Sequence, residues 1–201
     1  MSRKAKSIII VLLSMISLSA SAQKGIIDSI LIANRSIKTI EGTVTERQYL
    51  HSGKTKSCEG KLYLTTPDCF SIHFENEDQI IINADKMYFD HGMFHGDFNP
   101  KRNRMVNCIK CLLLYSFQGK CQQLADECNY YMKTEKKHNE YVVTFTPKKK
   151  RLLDFSVVVL HYDLSYKLKE IEYTATIDDH STYTIRNAKY NGPIKKDIFQ
   201  F

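Results

Sequence analysis

The sequence predicts an α+β protein: an incomplete, unclosed antiparallel β-barrel, equivalent to a strongly curved sheet, with a helical lid. Three observations support this class. Short runs with alternating apolar side chains follow one another along most of the chain. The connections between them are too short for crossover helices, so neighbouring strands should be antiparallel. One segment, residues 107–131, changes to helical spacing and supplies a cover for the apolar face of the sheet.

The first residues have the composition of a secretory signal. Three basic residues precede an apolar run, residues 8–18, that is shorter than the roughly 20 residues needed to span a membrane. Small residues follow and offer a cleavage site before Gln23. We expect residues 1–22 to be a signal peptide and residues 23–201 to form a single exported domain.

A helix is predicted at the start of this domain, because Ile26, Ile27, Ile30 and Leu31 follow helical spacing. Alternation with period two then begins, and Gly, Pro, Asn and Asp mark the turns. The first group of strands is predicted at residues 39–50, 56–65, 69–75, 79–83 and 86–90.

The second half of the chain starts with the helical segment, in which Gly119 should separate two helices. Strands are expected to resume at Tyr141 and to continue at residues 155–162, 168–177 and 182–190. A sheet with one apolar face under an apolar helix pair encloses either a filled core or an apolar cavity, and the pattern is compatible with both.

The six cysteines lie after the signal, where an oxidising compartment permits disulfides. Cys58 and Cys69 should leave the sheet on opposite faces, which disfavours that pairing. Cys108 and Cys111 have the spacing of a redox or zinc motif, but no thioredoxin-like context surrounds them. We expect structural disulfides or buried thiols.

The charge balance argues against a nucleic-acid partner. Lys and Arg number 29 against 22 Asp and Glu, and three of the basic residues belong to the signal. Two dense basic clusters, residues 136–138 and 148–151, are typical of solvated turns. The alternative is attraction to anionic lipid headgroups or to an acidic partner.

Motifs of enzyme chemistry are missing from the sequence, including Gly-rich phosphate loops, nucleophile elbows and HExxH helices. A metal-like group of Asp90, His91, His95 and Asp97 is better interpreted as a polar loop. The carboxylates at 170 and 172 share a strand face that alternates with apolar residues, which indicates a solvated side. We therefore predict no catalytic residue, no metal and no cofactor.

Two stretches resemble the LolA family of periplasmic outer-membrane lipoprotein carriers. The first, residues 59–90, has the family's order of strand, Pro turn, aromatic strand and a turn before another aromatic strand. The second, residues 141–201, has its succession of strands and turns and its final N-G-x-I-x-x-x-x-F-x-F ending. The matching positions are Gly60, Leu62, Leu64, Pro67, Phe70, Ile72, Asp85, Lys86, Tyr88, Phe89, Asn191, Gly192, Ile194, Phe199 and Phe201.

The resemblance implies a monomeric periplasmic carrier that holds the acyl chains of lipoproteins, or another lipid, in a hydrophobic cavity. It also implies an inner-membrane ABC transporter complex as donor and an outer-membrane acceptor. When empty, such a cavity should be closed by its own lid. The cavity residues we expect are Leu62, Leu64, Phe70, Ile72, Phe74, Ile80, Ile82, Ile109, Leu112, Leu113, Phe117, Val143, Phe145, Val157, Val159, Ile171 and Tyr173.

Two departures from the family pattern carry expectations of their own. Thr66 stands where proteobacterial members have an Arg thought to tie the lid shut, so the lid must use other groups or close more loosely. The chain ends at Phe201, where those relatives continue into an extra loop, so handover partners are expected to differ.

A periplasmic lipid-sensing or accessory protein of the same fold is the alternative function. An enzyme would need a polar cluster inside the cavity, and the predicted inward positions offer none.

Overall fold

The computed structural model of the protein describes residues 24–91, 94–149, 156–174 and 180–201. The predicted signal peptide lies outside the described residues, as does position 155, the first of the strand predicted at 155–162. The last three positions of the strand predicted at 168–177 also lie outside them. Within the described ranges, no helix has the length and apolarity needed to cross a membrane.

One antiparallel sheet contains all the strands of the described chain, in the order β6-β5-β4-β3-β2-β1-β11-β10-β9-β8-β7. The strands are β1 (Thr39–Tyr49), β2 (Thr55–Thr65), β3 (Cys69–Phe74), β4 (Gln79–Asn83), β5 (Lys86–His91), β6 (Phe94–Phe98), β7 (Tyr130–Lys137), β8 (Glu140–Pro147), β9 (Val157–Tyr162), β10 (Leu168–Thr174) and β11 (His180–Tyr190).

The order of the strands leaves the barrel open. The chain begins in the middle of the sheet with β1, extends one half to β6, and crosses to the far edge through two helices. It then returns from β7 to β11, which pairs with β1. No pairing joins the edge strands β6 and β7 in the part of the chain that the structure describes. This architecture confirms the predicted fold class.

Two local features bring the central strands close together and help the sheet to curve. The register between β1 and β11 shifts between Glu41 and Thr43, as at a β-bulge. At Gly60 of β2, a Cβ atom would lie 2.8 Å from the carbonyl oxygen of His73 in β3. Only glycine fits this close approach without a backbone shift.

Three α-helices cover the concave side of the sheet: α1 (residues 24–34), α2 (Arg104–Gln118) and α3 (Cys121–Cys128). Asn103 caps α2, because its side-chain oxygen accepts a hydrogen bond from the Val106 amide at 3.2 Å. Gly119 ends α2 in the left-handed conformation, with φ of 69°. The predicted division of the helical segment at Gly119 is confirmed.

Two strands differ from the sequence-based prediction. β6 lies in the segment that the sequence analysis interpreted as a polar loop. The strand was not predicted because its sequence FHGDF lacks β-branched residues and contains a glycine. It nevertheless forms a ladder with β5 from Met87 to His91. β7 begins at Tyr130, inside the predicted helical segment. Asn129 ends α3 with φ of 60°, and pairing with β8 then determines the strand.

Helix α1 covers the end of the sheet where β1 begins. Its Ile30 side chain is fully buried. The side-chain amide of Asn34 donates to the carbonyl oxygen of Tyr166 at 2.8 Å. Lys167 Nζ donates to the carbonyl oxygen of Ala33 at 2.7 Å, where a positive charge suits the C-terminus of a helix. These contacts fix α1 against the turn between β9 and β10.

Gly119 is also the point at which α1 meets the corner between α2 and α3, because a Cβ there would lie 2.6 Å from the carbonyl oxygen of Ile30. We expect Gly119→Ala to lower the free energy of unfolding by about 3 kcal/mol, from backbone strain and this clash together. Gly53 is the matched control, since its φ is 76° and open space surrounds it.

Gly53→Ala should cost only the strain, about 1 kcal/mol. Urea denaturation of both variants gives the comparison. Equal losses in the two variants would show that the contact with α1 does not contribute.

Candidate functional site

Most of the predicted cavity residues meet on the concave face of the sheet and on the sides of α2 that face it. Ile109 and Tyr173 are half-buried and pack against the same cluster. The buried members are Leu62, Leu64, Phe70, Ile72, Phe74, Ile80, Ile82, Leu112, Leu113, Phe117, Val143, Phe145 and Ile171.

Two of the predicted cavity residues, Val157 and Val159, lie on the wrong face. The buried positions of β9 are Val158, Leu160 and Tyr162, and the positions between them are only partly buried. The prediction failed because an unbroken run of valines carries no period-two signal. His161, the polar residue between Leu160 and Tyr162, could have indicated the correct inward face of β9.

The interior between the helices and the sheet is filled. The gap beneath Leu113 and Phe117 has a volume of about 10 Å³, which is close to the minimum for one water molecule. A second gap, beneath Leu112, has no room for a water molecule. The ring of Phe117 lies 5.8 Å from that of Phe70, centroid to centroid. At these two places, side chains of the lid occupy the space predicted for an acyl chain.

Two side-chain hydrogen bonds hold the end of α2 to the sheet. Gln118 Nε2 donates to the carbonyl oxygen of Pro67, in the turn between β2 and β3, at 2.8 Å. On the other side, the buried Tyr162 hydroxyl donates to the carbonyl oxygen of Ser116 at 2.8 Å. The Thr66 hydroxyl instead lies 3.3 Å from the carbonyl oxygen of Lys38. The lid is therefore held by groups other than the residue at the family's Arg position, as the sequence led us to expect.

All six cysteines are in the reduced thiol form. The buried-thiol alternative is therefore the one observed for the four cysteines of α2 and α3, and the disulfide alternative is wrong for this structure. Burial raises the pKa of Cys121 to about 11, which makes that thiol a poor nucleophile. Hydrogen bonding with Cys108 and Cys111 raises the pKa of Cys128. These thiols pack the junction of α2 and α3.

The concave face also carries a polar cluster, which contradicts the expectation that its inward positions offer none. Glu46 is 3% exposed, and its Oε1 accepts hydrogen bonds from the Tyr183 hydroxyl at 2.7 Å and from Gln48 Nε2 at 3.0 Å. His91 lies between two carboxylates, with Nε2 3.2 Å from Glu46 Oε1 and Nδ1 3.0 Å from Asp78 Oδ2. The cluster is a partly buried network of paired charges around the buried carboxylate of Glu46.

Each member of this network changes the charge state of its neighbour. Burial alone would raise the pKa of Glu46, but the hydrogen bond and charge of His91, aided by Gln48 and Tyr183, lower it overall. Burial likewise opposes protonation of His91, but the hydrogen bond and charge of Glu46, and then those of Asp78, raise its pKa. The network therefore favours an imidazolium between two carboxylates.

The cluster borders a cavity of about 490 Å³ at the end of the sheet away from α1. Its lining residues are polar or ionisable, and their polar and apolar atoms contribute comparable shares of its surface. The lining residues are Glu46, Gln48, Lys56, Ser57, Cys58, Asn76, Asp78, His91 and His95.

The sequence matches no family model, and it matches no curated protein. In structure, the chain is similar to a putative outer membrane lipoprotein-sorting protein domain from Vibrio parahaemolyticus. The TM-score is 0.50 at 9% identity, covering 90% of this chain and 97% of that one. It is also similar to a LolA superfamily protein from Nitrosomonas europaea, with a TM-score of 0.44 at 9% identity, covering 89% and 97%. The chain has a LolA-like fold. At these identities the likeness is one of fold.

The four metal-like side chains noted in the sequence, at positions 90, 91, 95 and 97, do not come together in this LolA-like fold. His95 Nδ1 pairs with Asp90 Oδ1 at 2.6 Å, and both side chains are exposed. His91 instead belongs to the buried network with Glu46. Asp97 is exposed on β6, opposite Tyr88. The four side chains therefore do not surround a common point.

On the outer face of the LolA-like sheet, Glu170 and Glu172 are partly buried beside His161. One ligand atom from each of the three residues lies within 4.8 Å of the others, so this group could reach a metal ion. His161 Nε2 lies 3.0 Å from Glu172 Oε1 without the alignment of a good hydrogen bond, and the Thr184 hydroxyl donates to Glu170 Oε2 at 2.6 Å.

The network of Glu46 and His91 predicts a pH-dependent contribution to stability. The raised pKa of His91 stabilises the fold below the ordinary imidazole value of 6.5, and this is lost as pH rises through the raised value. The lowered pKa of Glu46 stabilises it above the ordinary carboxyl value of 4.5, and this is lost as pH falls through the lowered value. The full contribution is therefore present between pH 4.5 and 6.5.

We expect His91→Gln to lower the free energy of unfolding by about 3 kcal/mol in that window, because it leaves Glu46 without its charged partner. The loss should shrink as pH rises above it. Urea titrations across pH test this, with His95→Gln as the matched control, since the pair of His95 and Asp90 is exposed. A loss that does not change with pH would contradict the assigned network.

Proposed function

We propose that the protein is a carrier that shields the acyl chain of an exported lipid or lipoprotein between the curved sheet and the helices α2 and α3. The observation that carries the proposal is an open sheet whose apolar face is closed by a separate helix pair. Besides apolar packing, hydrogen bonds at Gln118 and Tyr162 and an ion pair between Lys110 and Asp85 hold that pair to the sheet. The similarity to a putative lipoprotein-sorting domain supports the same assignment.

The filled interior makes loading an exchange of contacts. Lifting Leu112, Leu113 and Phe117 from the wall exposes side chains worth about 2 kcal/mol each. Burying an acyl chain of about a dozen methylenes returns about 0.8 kcal/mol for each, or about 10 kcal/mol. The net gain is modest, and a modest gain suits a carrier that must also release its cargo.

The proposal places the carrier in the periplasm, on the basis of the signal-like residues 1–22. There it would receive acylated lipoproteins or lipids from an inner-membrane ABC transporter complex and deliver them to an outer-membrane acceptor. Transfer of the acyl chain through water without a carrier would expose the same methylenes that the wall and lid can bury.

Native mass spectrometry of protein purified from the periplasm without detergent tests the proposal directly. A population carrying one acylated molecule, removable by organic extraction and identified in the extract, is the expected result. Protein that carries no such molecule, and that also fails to take up an added acyl chain, would refute the carrier function.

Fluorescence quenching tests where the chain binds, because the protein contains no Trp. Phe117→Trp places one emitter on the lid beneath which the chain should lie. Tyr63→Trp is the control, since Tyr63 lies on the outer face of β2 opposite Ser71. A brominated acyl chain should quench the first variant strongly and the second weakly. Equal quenching of the two would contradict the proposed binding face.

Gln118→Met tests whether lid opening limits loading. It keeps the size of the side chain but removes the hydrogen bond to Pro67, so the empty closed state should lose about 1 kcal/mol. Acyl-chain affinity should rise by up to about fivefold, because less energy is needed to open the lid. Gln122→Met is the matched control, since Gln122 is exposed on α3 and bonds only Asp126 of the same helix.

Calorimetric unfolding and titration with an acyl ligand give both quantities for the two variants. A lower affinity in Gln118→Met, or an equal rise in the control, would show that this hydrogen bond does not oppose loading.

A further inference from the structure

Shielding an acyl chain does not require the polar cavity of about 490 Å³. It lies toward the Tyr49 end of β1, whereas α1 covers the end at Thr39, so the two features occupy opposite ends of the sheet. Its volume is within the range of small-ligand sites, and nitrogen and oxygen atoms of several polar side chains face it. A purely hydrocarbon guest would leave those groups without hydrogen bonds.

The cavity adjoins the apolar wall through two aromatic side chains. Tyr183 lines the narrow gap beneath the lid, and its hydroxyl donates to Glu46, which lines the polar cavity. Phe74 belongs to the apolar cluster, and its ring stacks on the imidazole of His91 with centroids 4.7 Å apart. A molecule with an acyl chain under the lid could therefore extend a polar group into the cavity.

The charges that face the cavity are balanced or negative. Glu46 and Asp78 contribute two negative charges, and Lys56 contributes one positive charge. Protonated His91 brings the sum of these groups to zero, and neutral His91 leaves it at minus one. His95 is paired with Asp90 at the rim. In neither state of His91 do these groups attract an anion overall.

The remaining polar groups can both donate and accept hydrogen bonds. The Asn76 oxygen accepts from the Cys58 thiol and from the Asp78 amide, each at 3.3 Å, so its NH₂ group is the part available as a donor. The Ser57 hydroxyl already donates to the carbonyl oxygen of Glu46 at 3.1 Å, so it and the Asp78 carboxylate add acceptor atoms. Hydroxyl and amide groups of a ligand match such a lining.

We propose that this cavity binds the headgroup of the acyl ligand and selects neutral headgroups, rich in hydroxyl or amide groups, over anionic ones. The inference rests on the proposed carrier function and adds a cargo class to it. Two sources share this chemistry: the sugar or polyol of a glycolipid, and the peptide end of a lipoprotein.

Isothermal titration calorimetry of residues 23–201 with chain-matched probes below their micelle concentrations tests the selection. The probes are dodecyl maltoside, N-dodecanoyl glycinamide and dodecyl phosphate. We expect at least one neutral probe to bind about tenfold more tightly than the phosphate. Preference for the maltoside would indicate a glycolipid source, and preference for the glycinamide a lipoprotein source.

Asp78→Asn tests whether the cavity causes the selection. Removing this negative charge should raise the affinity for dodecyl phosphate about fivefold relative to the affinity for the preferred neutral probe. Asp28→Asn is the matched control, since Asp28 is exposed on α1 at the other end of the sheet. It should leave all three affinities unchanged.

The outcomes separate the two proposals. If no probe binds, both the carrier function and the headgroup selection are refuted. If all three probes bind alike, or the phosphate binds most tightly, the carrier function stands and the headgroup selection is overturned. An unchanged ratio in Asp78→Asn would likewise overturn the assignment of the selection to this cavity.

Discussion

The structure depends on the cost of leaving the apolar face of an open sheet in water. Because β6 and β7 do not pair, the described sheet cannot enclose its own interior as a closed barrel does. The helices between those two strands must supply the cover, and beneath Leu113 and Phe117 their side chains leave a gap of only about 10 Å³. The same arrangement makes the cover separable, because α2 and α3 are not part of the sheet's hydrogen-bond ladder.

The two ends of the curved sheet have different chemistry. At one end α1 is fixed by Asn34 and Lys167 and closes the interior. At the other end the buried carboxylate of Glu46 needs His91 and Tyr183 as partners, because an unpaired charge there would be too costly. An interior that is apolar under the lid and polar at one mouth has the chemical profile of an amphiphile.

The sequence was informative wherever one periodicity persisted. Alternation placed β1 to β5 within one residue at each boundary, and helical spacing with Gly119 located the break between the two lid helices. It failed at β7, where two tyrosines continued the helical spacing, and at Val157 and Val159, where a uniform valine run hides the inward face. Glu46 shares its strand parity with Val44 and so could have been predicted as an inward carboxylate. Its partners could not, since His91 is distant in sequence and meets it only through the fold.

The central claim is that a guest's hydrocarbon replaces the contact between the lid and the wall. Nuclear Overhauser effects between the rings of Phe70 and Phe117, 5.8 Å apart in the closed state, measure this contact directly. At saturating acyl ligand, the account predicts that these signals disappear and that signals from the ligand's methylenes to both rings replace them. Persistence of the contact between the two rings, with no ligand signal to either, would contradict it.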